Sequence, residues 1–219
     1  LAPPRDDTDP IALGEKPEKF AGKDVVLDDR PQSFRFHQGR GFDEIRLTRT
    51  PFTVLLPPEL AFQKRPYDPV IRVKGVLSRV GNEWVIRASE ARLLPEDLRR
   101  LDQAVERLNP ADSVLRSQWA QWAESRAQIY RDEPLQARAR ALEAEAIQLD
   151  ADRPGADLVA LATRARQRHV PEPLPSALAH RGLRAELSRA ATAQAARDVL
   201  QRVEELLPGS SAPATSAVG

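Results

Sequence analysis

The stretch whose reading decides the fold is RVKGVLSRVGNEWVIRASEARLL, residues 72–94. Gly81-Asn82 at its centre is a two-residue turn, with glycine first as a type II′ turn prefers. With those two residues as the loop, Val80 faces Glu83, Arg79 faces Trp84 and Leu77 faces Ile86. Side chains alternate across a strand, so Ile71, Val73, Leu77, Trp84, Ile86 and Ala88 share one face. Arg72, Lys74, Arg87 and Arg92 lie mostly on the other. Alternation in both runs predicts an antiparallel hairpin with a buried Trp84. Gly75 interrupts the inner face and marks a bulge or bend.

Working upstream, KDVVLDD (23–29) is a strand candidate, and SFRFHQ (33–38) alternates Phe34 and Phe36 with Arg35 and His37. DEIRLTRTPFTVLLP (43–57) alternates Ile45 and Leu47, is interrupted at Pro51, and resumes with Phe52, Val54 and Leu56. ELAFQKR after Pro57-Pro58 suits one or two helical turns. The order is therefore strand, strand, strand, short helix, strand, strand.

That order, carried by the GKDVVL opening, the PPELAFQKR helix and the closing hairpin, resembles the OB-fold over residues 20–94. The resemblance implies a five-stranded barrel with a helix between its third and fourth strands, binding oligonucleotides or oligosaccharides over strands 2 and 3. Carried onto this chain, the ligand face falls on Phe34, Phe36, Arg46 and Arg49, with Arg30 in the first loop. Aromatic and arginine side chains together can stack and clamp a single strand. The loop at residues 81–82, however, is too short to wrap one.

From Pro95 the hydrophobic period becomes helical. Leu98, Leu101, Val105 and Leu108 form one apolar stripe, and Pro95 before Glu96-Asp97 suits a helix start. Leu115, Trp119, Trp122, Arg126 and Ile129 mark a second helix, and Leu135, Ala139, Leu142, Ala146 and Leu149 a third. Leu158, Leu161, Ala162 and Ala165 give a fourth. Leu178, Leu183 and Leu187 give a fifth, and Val199, Leu200, Val203, Leu206 and Leu207 a sixth. Short breaks between them predict antiparallel neighbours. ALEAEAIQLDAD, through Ala146, Leu149 and Asp150, resembles the close of a tetratricopeptide repeat. The following residues depart from that pattern at Ala151, Asp157, Leu161 and Arg164. The expected class is thus α+β: a flexible spacer (1–19), an OB-like barrel (20–94), an array of about six helices (95–207) and a disordered Ser/Ala/Pro tail (208–219).

Composition narrows the chemistry. The 219 residues contain no Cys, which excludes disulfides, thiolate metal sites and Cys nucleophiles. The sequence starts at Leu1 and contains no Met, so it is either processed or cropped; signal-peptide removal leaves such a start, and an exported location, periplasmic or at the cell surface, is the expectation, with a cytoplasmic one as the alternative. No apolar run is long enough to span a membrane. Net charge is +1 overall, but residues 30–94 carry twelve basic and six acidic side chains. A basic sheet can attract polyanions, and a solvated sheet surface explains the same charges.

Catalytic motifs are missing. His37, His169 and His180 have no partner at metal-binding spacing. DADRPG (150–155) resembles the start of a calcium loop but places Pro154 and Leu161 at ligand positions. HQGRGF (37–42) lacks a following helix to hold phosphate. Trp119 and Trp122 fall on one helix face, where they pack as core or, if partly exposed, form a protein-binding hot spot. The sequence thus predicts a non-enzymatic exported scaffold or complex subunit without cofactor or metal, whose partners are other proteins. The alternative is a polyanion or single-stranded nucleic-acid binder.

Overall fold

Gly81 holds a φ of 61° while Asn82 stays at negative φ, the pattern of a type II′ turn. In a computed structural model, which describes residues 2–4, 8, 10–39, 41–64, 70–190 and 192–206, this turn joins β5 (Val70–Val80) to β6 (Glu83–Leu94). The register pairs Val80 with Glu83, Arg79 with Trp84 and Leu77 with Ile86. Ile71, Val73, Leu77, Ile86 and Ala88 are buried in one core, against which Trp84 packs half-buried. The ladder slips between Lys74 and Gly75, at the glycine that breaks the alternation.

Four strands precede the hairpin: β1 (Asp24–Asp29), β2 (Pro31–His37), β3 (Gly41–Leu47) and β4 (Thr53–Leu55). The sheet order is β1-β5-β6-β4-β3-β2, with β4 parallel to β6 and every other pair antiparallel. This corrects the expected five-stranded barrel: among the described residues there are six strands, and the sheet is open between β1 and β2. Two prolines account for the difference. Pro51 lies in the gap that divides one expected strand into β3 and β4. Pro31 follows Arg30, where β1 ends and β2 begins, and a proline has no N–H for a ladder.

The expected helix after Pro57 is reduced to a single 3-10 turn at Pro58–Leu60, and its end at residue 65 lies outside the described residues. Part of the expected spacer is ordered. Pro10–Glu15 form a short helix, α1, whose Leu13 is fully buried in the sheet core, and Val26 N–H donates to the Thr8 hydroxyl at 3.1 Å.

Among the described residues six helices follow the sheet: α2 (Asp97–Val105), α3 (Ser113–Tyr130), α4 (Glu133–Ala151), α5 (Leu158–Gln167), α6 (Leu174–Arg189) and α7 (Ala193–Leu206). The chain divides into two units, one ending at Arg100 and one beginning at Leu101, so the division falls within α2 rather than at Pro95. The expected tail, residues 208–219, lies outside the described residues.

In the helical unit α3 packs on α4, α5 on α6 and α6 on α7. Three helix starts share one device. Asp112, Asp132 and Asp157 each accept a hydrogen bond from the backbone N–H three residues on, at 2.9, 3.1 and 2.9 Å. A cap of this kind satisfies an N–H that the helix itself leaves bare. Asp157→Ala is expected to cost about 1 kcal/mol, read as faster amide exchange at the start of α5 and unchanged exchange in β5.

Candidate functional site

The ladders place two kinds of row across the sheet. Phe34, Ile45, Val54, Ile86 and Leu77 lie side by side and face the core. On the opposite face lie Ser33, Arg46, Thr53 and Val85, with Arg35, Glu44 and Leu55 in the next row. Above these rows is an open groove of about 650 Å³, with Val80 and Glu83 of the hairpin in its lining. That volume lies within the range of ligand sites, about 300–1,000 Å³.

The groove mixes apolar and charged groups in balance. Phe36 and Val80 are 55% and 44% exposed, and Leu55 and Val85 line the groove with them. Arg35 forms a cross-strand ion pair with Glu44 at 3.0 Å. Arg46 and Glu83 are exposed, one cation and one anion. The charged lining is thus two arginines against two glutamates.

Of the residues expected on the ligand face, Phe36 and Arg46 line this groove. Phe34 borders it but packs into the core, edge-on to Phe62 at 6.4 Å. The β2–β3 ladder shifts register between Arg35 and Phe36, at the bulged residue Asp43, and His37 Nδ1 hydrogen-bonds the Asp43 carboxylate there. Beyond that bulge Phe36 stands clear of the core.

Arg30 and Arg49 do not line the groove. They belong to a buried cluster of carboxylates and guanidinium groups within the sheet unit. Asp29, 1% exposed, accepts from the backbone N–H of Arg30 at 2.7 Å and of Arg49 at 2.8 Å, with the Arg49 guanidinium 3.6 Å away. Asp28 takes a two-pronged contact from Arg72 at 2.6 and 2.8 Å, and a third bond from Arg100 at 3.0 Å. Asp97, fully buried at the start of α2, is paired with Arg30 at 3.4 Å and Arg100 at 3.5 Å. Burial pushes the Asp28 carboxyl up, but the hydrogen bonds and charges of Arg72 and Arg100 outweigh it and hold the pKa below the ordinary 3.8. This cluster fastens the first turn of α2 to the end of β1. It also explains why the structural division falls after Arg100. No local motif announces it, because Asp28 lies 44 and 72 residues from its partners.

In the helical unit Trp119 is 3% exposed and meets half-buried Trp122 edge-on at 5.2 Å. The buried Arg126 guanidinium lies 5.6 Å from the Trp122 ring and 5.1 Å from Tyr130. Trp119 is therefore core, and Trp122 is held in a cation–π stack. Ile129, from the same sequence stripe, is 45% exposed. Deeper between α3, α4 and α5, buried Glu143 accepts from Ser117 at 2.7 Å and Arg164 at 3.0 Å. Arg164 also reaches Asp150 at 3.2 Å, and Asp150 holds Ser113 at 2.6 Å. Asp150, read in sequence as a repeat signature, is thus a link between three helices.

Among the described residues no three His, Asp or Glu side chains gather as a metal site, and no helix is long and apolar enough to cross a membrane. The sequence matches none of the protein-family models scanned and none of the curated proteins searched.

Proposed function

We propose that this chain is a non-enzymatic scaffold or complex subunit that binds other proteins, with the outer groove of its sheet receiving an extended polypeptide segment. One observation carries the reading: the groove is partly apolar and its charges balance, with Arg35 and Arg46 against Glu44 and Glu83. A phosphate-tracking surface needs cations in excess, because its affinity comes from neutralising phosphates and releasing their counterions. Two of the arginines best placed for that task, Arg30 and Arg49, are committed to buried carboxylates. Exposed Phe36 and Val80 instead suit the apolar side chains of a peptide, with Arg46 and Glu83 placed for one acidic and one basic neighbour.

The strand order supports an OB-like ancestry for the sheet unit. Taking β1 and β2 as two halves of one strand, broken at Arg30, reduces the sheet β1-β5-β6-β4-β3-β2 to the five strands that an OB-like reading expects. Consecutive packing of α3 on α4 and α5 on α6 supports a tetratricopeptide-like helical array, which offers further protein-binding surface. Placement outside the cytoplasm belongs to the same proposal, and fractionation of the source cells tests it.

The functional test compares wild type with Phe36→Ser/Arg46→Glu as bait in extracts of the source cells. A partner protein recovered in stoichiometric amount with wild type and lost with the variant is the expected result. Single-stranded DNA should bind no tighter than about 10⁻⁴ M at physiological salt. Micromolar, salt-sensitive binding that disappears in Arg35→Ala/Arg46→Ala would overturn the proposal in favour of a nucleic-acid role.

A further inference from the structure

A second, smaller cavity of about 140 Å³ opens in the helical unit between α3, α4 and the C-terminal end of α5. Arg140, Arg168 and His169 line it, together with the carboxamides of Gln121, Gln128 and Gln167. Two carboxylates of the chain also reach it, and both are engaged. Glu143 is held by Ser117 and Arg164, and Glu124 accepts from Gln136 at 3.1 Å and Gln128 at 3.3 Å.

The cations are less well matched. The Nη2 of Arg140 comes only to 4.0 Å from Glu124, and its Nε is buried without a hydrogen-bond partner. A buried N–H left without an acceptor is costly, so its presence beside a cavity points to an acceptor arriving from outside. Among the described residues no acceptor or carboxylate holds the Arg168 side chain. The next residue, His169, holds a left-handed φ of 54° as the cap of α5: its N–H donates to the Arg166 carbonyl and the Val170 N–H to that of Ala165, which fixes this helix end beside the cavity.

We propose that this cavity binds a carboxylate, with Arg140 and Arg168 as its cationic contacts and the glutamine amides as further donors. Charge selects a carboxylate over a phosphate dianion. With Glu143 matched by Arg164, the lining holds two guanidinium charges against the single charge of Glu124, which suits one negative charge. Guanidinium N–H groups also present the planar fork that a carboxylate accepts. The carboxylate is borne either by a small free acid or by an acidic side chain of a polypeptide.

Titration calorimetry of the full chain at constant ionic strength tests this, with acetate as the free acid and N-acetylglutamate N-methylamide as the side-chain mimic. Saturable one-to-one binding of either is expected, the tighter of the two identifying the source. Arg140→Gln and Arg168→Gln should each weaken it by about tenfold, with folding checked by unchanged thermal unfolding. Arg140→Lys keeps the charge but lacks the Nε donor, and should weaken binding as well. Arg184→Gln, on the exposed side of α6, should leave it unchanged. Absence of saturable heat with both probes, equal heat in the arginine variants, or tighter binding of inorganic phosphate would overturn the assignment.

Discussion

Gly75→Ala should destabilise the sheet unit by about 3 kcal/mol or more, the upper end of what overpacking usually costs. A Cβ built on Gly75 lies 2.3 Å from the Arg87 carbonyl oxygen, 2.8 Å from its carbon and 2.9 Å from the Ala88 Cα. All three atoms are backbone, so no side chain can turn aside. The bulge at this position must open, and it lies in the middle of the ladder between the two longest strands. Alanine restricts the unfolded chain and so gains about 0.5–1 kcal/mol, too little to offset the clash. Hydrogen exchange of β5 and β6 amides in the full chain measures the effect as faster opening of the sheet. Gly14→Ala is the control: that residue lies in α1 without a positive φ, and a Cβ there comes no nearer than 3.4 Å, to the Pro51 ring. It should change stability by less than about 1 kcal/mol. Equal effects at the two positions would show that the close approach at Gly75 carries no energetic weight.

Asp28→Asn should cost the same unit about 3 kcal/mol at neutral pH. Removing one partner of a buried ion pair leaves the others uncompensated, typically at 3–5 kcal/mol. The lower figure applies because Arg72 keeps 29% of its side chain in solvent and Arg100 retains Asp97. The pH dependence gives an independent check. The folded pKa of Asp28 is depressed, so its contribution is fully present above 3.8 and is lost as pH falls through the folded value. The gap between wild type and variant should therefore stay constant from neutral pH down to about 5 and close only in stronger acid. A gap that persists unchanged at pH 2 would assign the loss to shape rather than charge.

These two sites differ in how far the sequence exposes them. Gly75 is legible because it interrupts a period-two run, and the turn at Gly81-Asn82 fixes the register that leads to it. The helices are legible for a similar reason: apolar stripes give their faces, and Asp112, Asp132 and Asp157 stand at their starts. The carboxylate cluster is not legible, because Asp28 meets Arg72 and Arg100 only after the strands have paired. The same pairing withdraws Arg30 and Arg49 from the expected ligand face. The groove depends on the parallel contact of β4 with β6, which nothing local encodes. Phe34 and Phe36 look equivalent in sequence, and the bulge opposite them, at Asp43, is what separates a core ring from an exposed one.

The central claim is that the sheet groove receives polypeptide. Incorporation of a photo-reactive phenylalanine analogue at position 36, followed by illumination in extracts of the source cells, tests it most directly. The account predicts a discrete adduct that proteases remove and nucleases do not, absent when the analogue stands at exposed Leu93. An adduct that nucleases remove, no adduct at position 36, or an equal adduct at position 93 would contradict it.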